Sequence, residues 1–248
     1  MRLDVFFSPL QVKPSDTQAR LVLIVDVLRA STTVATALGN GAKSVIPLEG
    51  PDDVITRSRE FHRSQIVLAG EQRIYPITGF DLGNSPQAFQ AKVVEGKTIL
   101  LTTTNGTRTL LGVQGARDIV IASYVNFTAV LAMMKVAARS NTDIAIICAG
   151  EEGSFTLEDA ACAGRYVRAI PKRADSVQVN DAASASVLIE KKYGENIAKL
   201  FKESTHGQAL QAAGFGDDLA AAAEVDSYPV VPIYQERQIT KLGPERAR

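Results

Sequence analysis

Short apolar runs alternate with polar, helix-like segments over the first 150 or so residues of the chain. The run from Leu21 to Val25 is representative, with consecutive Leu, Val and Ile residues bounded by polar ones. A short continuous run of this kind is typical of a strand buried on both faces. We predict strands at residues 3–7, 21–27, 44–48, 65–69, 98–101, 118–121 and 143–148.

Helix-like segments separate these strands. We predict helices at residues 31–38, 51–63, 86–92, 107–113 and 127–138. Pro51 and Pro86 fall where the first helical position tolerates proline. Strict alternation of strand and helix predicts an α/β protein, in which a mostly parallel sheet is covered by helices on both faces in an α/β/α arrangement.

The pattern changes after Cys148 and becomes rich in helices. We predict helices at 156–170, 181–191, 195–203, 207–213 and 217–224, a short strand at 230–233, and a polar, frayed tail over 238–248. No Gly/Ser/Pro-rich linker marks a boundary. We therefore expect a single domain over residues 1–236 and a polar tail over 237–248, with two lobes at about 1–150 and 151–236 as the alternative.

Composition and charge limit the possible partners. Of the 248 residues, 46% are hydrophobic and 22% charged, and Lys plus Arg equals Asp plus Glu at 27 each. This balance gives no global field to attract nucleic acid or an anionic membrane, and the apolar runs are too short to span a bilayer. We expect a cytoplasmic protein without a signal peptide, and a homodimer is the default expectation for an enzyme of this size. Cys148 and Cys162 alone predict neither a disulfide framework nor a cysteine zinc site.

The turn after the second strand carries the most informative chemistry. Asp26 ends the apolar run, Arg29 follows three residues later, and Ser31, Thr32 and Thr33 begin a helix of small residues. A carboxylate can bind a divalent cation, and a guanidinium with free helix-start N–H groups can bind an oxyanion. The alternative for the hydroxyls is simple helix capping, and for Asp26 a favourable position at a helix start.

Polar, glycine-rich loops follow three more predicted strands. The residues that we single out there are Glu71 and Arg73, Asn84 and Ser85, Thr104, Asn105 and Gly106, and the first-turn acids Glu158 and Asp159. Ligands of parallel α/β sheets collect beyond the carboxyl ends of the strands, so these loops are expected to surround one site. Each also has a structural explanation, as a loop, a cap or a helix-start acid.

Several familiar phosphate-handling motifs are absent from the sequence. There is no Gly-x-x-x-x-Gly-Lys-Ser/Thr loop and no Gly-x-Gly-x-x-Gly after a strand. Asp26 lacks the second aspartate two residues later that aspartyl-phosphate phosphatases use, and Cys148 has Ser154 rather than Arg six residues later. A hard-cation site of oxygen ligands beside an arginine and loop N–H groups remains.

The same loops resemble those of the 2-phosphosulfolactate phosphatase family. The matching segments occur in family order, and they are residues 26–33, 68–71, 79–86, 102–107, 148–150 with Glu158-Asp159, and Ser204-Thr-His-Gly207. The resemblance implies a magnesium-dependent phosphatase with an α/β/α fold that removes phosphate from a three-carbon phospho-sulfonate. Another small phosphorylated sulfonate or carboxylate is an open alternative for the substrate.

With this resemblance, we expect metal-assisted hydrolysis of a phosphate monoester. The expected catalytic residues are Asp26, Arg29, Glu71 and His206; the expected Mg²⁺ ligands are Asp26, Glu71, Glu158 and Asp159; and the expected substrate contacts are Ser31, Thr32, Thr33, Arg73, Asn84, Ser85, Thr104, Asn105 and Gly106. Attack by water and attack by a carboxylate such as Asp26 both stay open. A phosphotransferase and a non-catalytic sensor of a phosphorylated metabolite are the rival functions.

Overall fold

The computed structural model describes residues 1–171 and 177–243, which form an α/β fold around one large sheet. The strands are β1 Arg2–Phe6, β2 Leu21–Val25, β3 Ser44–Pro47, β4 Ile66–Gln72, β5 Tyr75–Pro76, β6 Thr98–Thr102, β7 Asp118–Ala122, β8 Ile144–Cys148, β9 Gln178–Val179, β10 Pro232–Gln235 and β11 Gln238–Lys241. All seven strands predicted over the first 150 residues are present in the structure.

Helices connect the strands and cover the sheet. They are α1 Pro14–Thr17, α2 Ala30–Gly39, α3 Pro51–Ser58, α4 Ala91–Val94, α5 Gly106–Gly112, α6 Phe127–Arg139, α7 Leu157–Ala169, α8 Asp181–Tyr193, α9 Ile197–Glu203, α10 Thr205–Ala212 and α11 Gly216–Ala223. None of these helices is long and apolar enough to cross a membrane.

The strand β2 shows why the sheet is buried on both faces. Leu21, Leu23 and Val25 face one hydrophobic cluster, which α6, α7 and the C-terminal helices complete. Val22 and Ile24 face a second cluster, to which α2 and α5 contribute. Because side chains alternate along a strand, an uninterrupted apolar run is what two buried faces require. The predicted α/β/α layering is confirmed.

A C-terminal hairpin divides the sheet into two parallel groups. The strand order is β5-β4-β6-β3-β11-β10-β7-β2-β8-β1-β9. The hairpin of β10 and β11 lies between β3 and β7 and pairs antiparallel with both. Along the ladder, the group β4-β6-β3 therefore runs opposite to the group β7-β2-β8-β1. Val45, Val67 and Ile99 share one core cluster with Val22 and Ile24, so the two groups pack against each other.

Three segments differ from the predicted elements, and the first is the helix predicted at 51–63, which ends at Ser58. The tail was expected to be frayed from residue 238, but Gln238–Lys241 is a strand with buried Ile239 against Val45. The single apolar residue among polar neighbours hid this strand, and residues 244–248 lie outside the described part. The predicted helix at 86–92 is a turn at Pro86–Ala88 followed by α4. Phe89 breaks it because its ring is buried and its carbonyl oxygen accepts a hydrogen bond from Asn40 Nδ2 at 2.8 Å.

Candidate active site

A cavity of about 390 Å³ opens where the loops after β2, β4, β6 and β8 meet. Its lining is polar and carries both charges. It consists of Asp26, Leu28, Arg29, Glu71, Arg73, Ile74, Asn84, Thr103, Thr104, Asn105, Glu151, Glu152 and His206. Eight of the fifteen predicted site residues are on this wall.

Asp26 is buried at the floor of the cavity, directly after β2. Its Oδ1 accepts a hydrogen bond from the Ala30 N–H at 3.1 Å, at the start of α2. Burial raises the pKa of Asp26 to about 6. His206 and the hydrogen bond from Ala30 lower this pKa, whereas repulsion from Glu71 and Glu158 raises it, and the net shift is upward. At neutral pH the Asp26 carboxylate is therefore largely ionised. Its pKa lies close enough to this pH for the group to exchange a proton.

Glu71 connects the loops after β4 and β6. Its Oε1 accepts from the Thr104 N–H at 2.7 Å, and its Oε2 accepts from the Thr104 hydroxyl at 3.1 Å and the Ile74 N–H at 2.9 Å. These bonds fix the carboxylate at the cavity edge and shape the Thr104–Asn105 loop. Asn105 Oδ1 in turn accepts from the Glu152 N–H at 2.9 Å, which joins this loop to the one after β8.

Gly106 is a packing requirement of the site rather than a cavity-lining residue. A Cβ atom at this position would lie 2.7 Å from Asp26 Oδ2 and 2.7 Å from Ala30 Cβ. Only glycine allows the start of α5 to approach Asp26 this closely.

We expect Gly106→Ala to displace Asp26 and to lower the unfolding free energy by about 1–3 kcal/mol, as overpacking does. Turnover should fall as well, because Asp26 cannot keep its position. Gly112→Ala is the matched control, since a Cβ there meets nothing within 4 Å. Denaturant unfolding and steady-state kinetics measure both effects. Equal behaviour of the two variants would contradict the proposed close approach.

Arg29 is buried, and its guanidinium is held on three sides. Nη1 donates to Asp218 Oδ2 at 2.8 Å, Nη2 donates to the Ile74 carbonyl at 2.6 Å, and Cζ lies 4.5 Å from the centre of the Phe215 ring. The guanidinium still lines the cavity. Its two hydrogen bonds to described residues use two of its five N–H donors, so others are available to a ligand.

Partly buried His206 and buried Glu158 form a pair beside Asp26. His206 Nδ1 lies 3.3 Å from Glu158 Oε1, an ion pair without the alignment of a good hydrogen bond. Burial by itself lowers the pKa of His206, but the Glu158 carboxylate, with Glu151 and Asp26, outweighs it and raises the pKa to about 9. His206 is therefore a cation at neutral pH.

Asn84 and Arg73 present polar groups to the cavity. Asn84 is buried, and its Oδ1 has no hydrogen-bond partner within the described residues. An unpaired buried amide oxygen costs free energy unless a ligand or water satisfies it. Arg73 is exposed in the turn between β4 and β5 and makes no ion pair with any residue in the described ranges. Both groups are free to contact a ligand.

Five of the predicted residues have their polar atoms turned toward protein partners. Ser31 Oγ accepts from the Asp26 N–H, Thr32 Oγ1 donates to the Val27 carbonyl, and Thr33 Oγ1 donates to the Asn84 carbonyl. Ser85 Oγ donates to Asp218 Oδ1 at 2.5 Å instead of capping a helix. Asp159 accepts from the Val27 N–H, the Gly150 N–H and the Thr156 hydroxyl. None of the five lines the cavity.

The structure adds site residues that sequence reasoning did not select. Glu151 and Glu152 line the cavity, as does Thr103, and Asp218 with Phe215 holds Arg29. Glu151 and Glu152 were visible as acids after a strand end. Asp218 had no such signal, because an acid in the first turn of a helix is ordinary.

The acids of the site fit a hard cation only in part. Within residues 1–171 and 177–243, no group of three or more His, Cys, Asp or Glu side chains is arranged to hold a metal ion, so the four predicted ligands do not form one cluster. Glu71 and Asp159 do not fit, because three donors occupy the oxygens of each. Glu158 fits better, because neither of its buried oxygens accepts a hydrogen bond from the described residues, although Oε1 is paired with His206 Nδ1 at 3.3 Å and the side chain lines a neighbouring pocket rather than this cavity. Mg²⁺ commonly uses one or two carboxylates with waters and substrate phosphate, which Asp26 and Glu158 can provide.

Comparison with known proteins identifies the family. The model of the 2-phosphosulpholactate phosphatase family matches residues 6–237. A probable 2-phosphosulfolactate phosphatase of Caldanaerobacter subterraneus subsp. tengcongensis is 36% identical over 221 residues, 89% of this chain and 90% of the relative. Proteins with the same description from Symbiobacterium thermophilum, 36% identical over 93% of this chain and 98% of the relative, and Thermotoga maritima, 34% identical over 93% and 94%, are also similar. A divalent metal is generally expected of such phosphatases. This chain belongs to the 2-phosphosulfolactate phosphatase family.

Proposed function

We propose that this protein hydrolyses the phosphate monoester of 2-phosphosulfolactate, or of a closely similar small phospho-acid, to the free alcohol and phosphate with Mg²⁺. The observation that carries the proposal is the cavity that Asp26 lines together with buried Arg29 and partly buried, cationic His206. The family membership supports the same reaction.

The charges of the cavity suit a small, multiply anionic substrate with a cation. Arg29, Arg73 and His206 can contact phosphate, sulfonate or carboxylate oxygens. Asp26, Glu71, Glu151 and Glu152 would repel such a ligand unless a cation intervened. Mg²⁺ held by Asp26 and Glu158 would supply this charge and polarise the phosphoryl group.

The other catalytic and binding roles belong to separate residues of the site. We assign the phosphoryl oxygens to the free N–H groups of Arg29 and to the Thr104–Asn105 loop, which Glu71 holds in place. Protonated His206 donates a proton to the leaving alkoxide oxygen as the P–O bond breaks. Asp26 either accepts the proton of the attacking water or attacks phosphorus itself. Arg73 and Asn84 take the second anionic group, while Ser31, Thr32, Thr33, Ser85 and Asp159 support the loops.

The functional test is phosphate release. We expect the protein with Mg²⁺ to release phosphate from 2-phosphosulfolactate faster than from phospholactate, phosphoglycolate or other small phosphoesters. An added alcohol acceptor should not change the amount of phosphate released, whereas a phosphotransferase would pass it to the acceptor. Binding without turnover for every ester would contradict the proposed hydrolysis and favour a sensor.

Replacing Arg29 removes its contact with the phosphoryl oxygens. We expect Arg29→Ala to lower turnover on the order of 10²–10³-fold, the usual cost of losing one preorganised charge-stabilising group. Arg29→Lys should recover only a part, because an ammonium cannot reproduce the planar, three-sided placement. Steady-state kinetics on folded protein measure both variants. Unchanged turnover in Arg29→Ala would remove this residue from the site.

Residues 1–236 are best explained as one domain rather than two lobes, and this domain extends to Lys241 because β11 lies within the sheet. The support is that β10 pairs with β7 and β9 pairs with β1, so segments after residue 151 are part of the N-terminal sheet. Cooperative unfolding in a single transition is the expected result. A homodimer also stays a prediction, which sedimentation equilibrium tests.

A further inference from the structure

Asp218, in the first turn of α11, joins two walls of the cavity that are far apart in sequence. Its side chain is buried, and both carboxylate oxygens are bonded. Oδ2 accepts from Arg29 Nη1 at 2.8 Å, 189 positions away, and Oδ1 accepts from Ser85 Oγ at 2.5 Å, 133 positions away. Asp218 itself does not line the cavity.

The contact with Arg29 fixes how the guanidinium faces the cavity. A long arginine side chain loses most of its rotamers when it is held by a carboxylate, a carbonyl and a ring face at once. The side chains of Arg29 and Asp218 are each only 3% exposed, so water does not compete for their ion pair. The N–H groups not used by Asp218 and Ile74 therefore keep one direction.

The contact with Ser85 acts on the segment that carries Asn84. Ser85 follows Asn84, which lines the cavity with a buried amide oxygen that has no partner in the described part of the chain. Holding Ser85 restrains the backbone that carries Asn84. One carboxylate thus sets the spacing between an anion-binding arginine and a neighbouring polar group.

We propose that Asp218 is a positioning residue, which orients Arg29 and the Asn84–Ser85 segment for an anionic group of the substrate. The inference rests on the proposed phosphatase function for its kinetic consequence. Its binding consequence, a weaker site for inorganic phosphate, stands independently of turnover.

The central variant is Asp218→Asn, which keeps the volume and one acceptor oxygen but removes the charge. We expect kcat/KM to fall on the order of 10–10²-fold, as expected when a catalytic contact is displaced by about 1 Å. The affinity for inorganic phosphate, measured by calorimetry with Mg²⁺, should fall by a similar order. Asp217→Asn is the matched control: the same residue type in the same turn, exposed and without a side-chain partner in the described ranges. It should match the wild type in both measurements.

A double-mutant cycle separates positioning from general stability. If Asp218 acts through Arg29, Asp218→Asn should cost much less in an Arg29→Ala background than alone. A purely structural role predicts equal costs in both backgrounds and would overturn the proposal. Ser85→Ala, which leaves the Arg29 pair intact, provides a second test where Asp218→Asn does not fold. It should lower phosphate affinity about 3–10-fold, since one of the two restraints is lost.

The outcomes distinguish this proposal from the proposed function. A wild-type protein that binds phosphate but hydrolyses no ester, with weaker binding in Asp218→Asn, would refute the phosphatase and keep the positioning role. Active protein with identical kinetics and phosphate affinity in Asp218→Asn and Asp217→Asn would refute the positioning role alone. Wild-type protein that neither binds phosphate nor releases it would refute both.

Discussion

Asp26→Asn is expected to lower turnover on the order of 10³–10⁴-fold, because it removes the group that we propose as a cation ligand and as the proton acceptor or nucleophile. The amide keeps the volume and can still accept the Ala30 bond at 3.1 Å, so the local backbone should not change. Steady-state phosphate release measures the loss. Retention of more than a tenth of the activity would contradict the assigned role.

The same substitution should not destabilise the fold. The pKa of Asp26 is raised to about 6 by burial from an ordinary value of 3.8. A group whose folded pKa is raised contributes stability at low pH that is lost as pH rises through the folded value, so ionised Asp26 costs on the order of 1–3 kcal/mol at pH 7. We therefore expect Asp26→Asn, unfolded in EDTA at pH 7, to be as stable as the wild type or more so. A clear loss of stability would mean that its low activity reports unfolding.

Acid trapping, rather than solvent isotope labelling, decides what Asp26 does. In a single turnover in H₂¹⁸O, direct attack by water places ¹⁸O in the released phosphate only. Attack by Asp26 forms an acyl phosphate, whose hydrolysis by water at phosphorus leaves the first-turnover phosphate labelled as well. Trapping at acidic pH separates the two, because only the second route leaves a phosphorylated Asp26 for mass spectrometry. Absence of that adduct throughout the pre-steady state would favour water.

The fold was predictable where burial is continuous. Strands such as β2 and β8 are apolar throughout because both faces are covered, and their sequence patterns show it directly. β11 was not predictable, since only Ile239 of its four residues is buried and pairing with β3 and β10 supplies its stability. The break at Phe89 likewise depends on a distant partner, Asn40, that no local pattern reveals.

The site was predictable at the level of loops but not of atoms. Strand-end chemistry correctly brought Asp26, Glu71 and the Thr104–Asn105 loop to one cavity. The carboxyl ends of parallel strands do not by themselves explain this meeting, because β2 and β4 belong to oppositely directed groups joined by the hairpin. Sequence spacing also could not tell that Asp159 would be saturated by backbone and hydroxyl donors while its neighbour Glu158 faces His206. Adjacent helical residues point in different directions, and only the packed structure decides which one faces the site.

The cavity would be strongly repulsive to the substrate without a bound cation. Asp26, Glu71, Glu151 and Glu152 line it, and the positive charge of Arg29 is already balanced by Asp218. The charge of partly buried His206 is similarly balanced by Glu158. Of the lining cations, Arg73 alone among the described residues has no acidic partner. Its single positive charge is too little for an ester that bears several negative charges.

Removal of divalent cations is therefore expected to abolish activity. Dialysis against EDTA should lower phosphate release on the order of 10³-fold or more, since a cation contributes several kcal/mol of charge stabilisation. Mg²⁺ in excess should restore it fully, whereas Ca²⁺, with longer bonds and looser coordination, should restore less. Glu158→Gln should raise the Mg²⁺ concentration needed for half-maximal activity, while Asp159→Asn, which alters a saturated carboxylate, should change stability more than this concentration. Full activity in EDTA would refute the metal-assisted mechanism. Equal Mg²⁺ requirements in wild type and Glu158→Gln would instead assign the cation to Asp26 with other ligands.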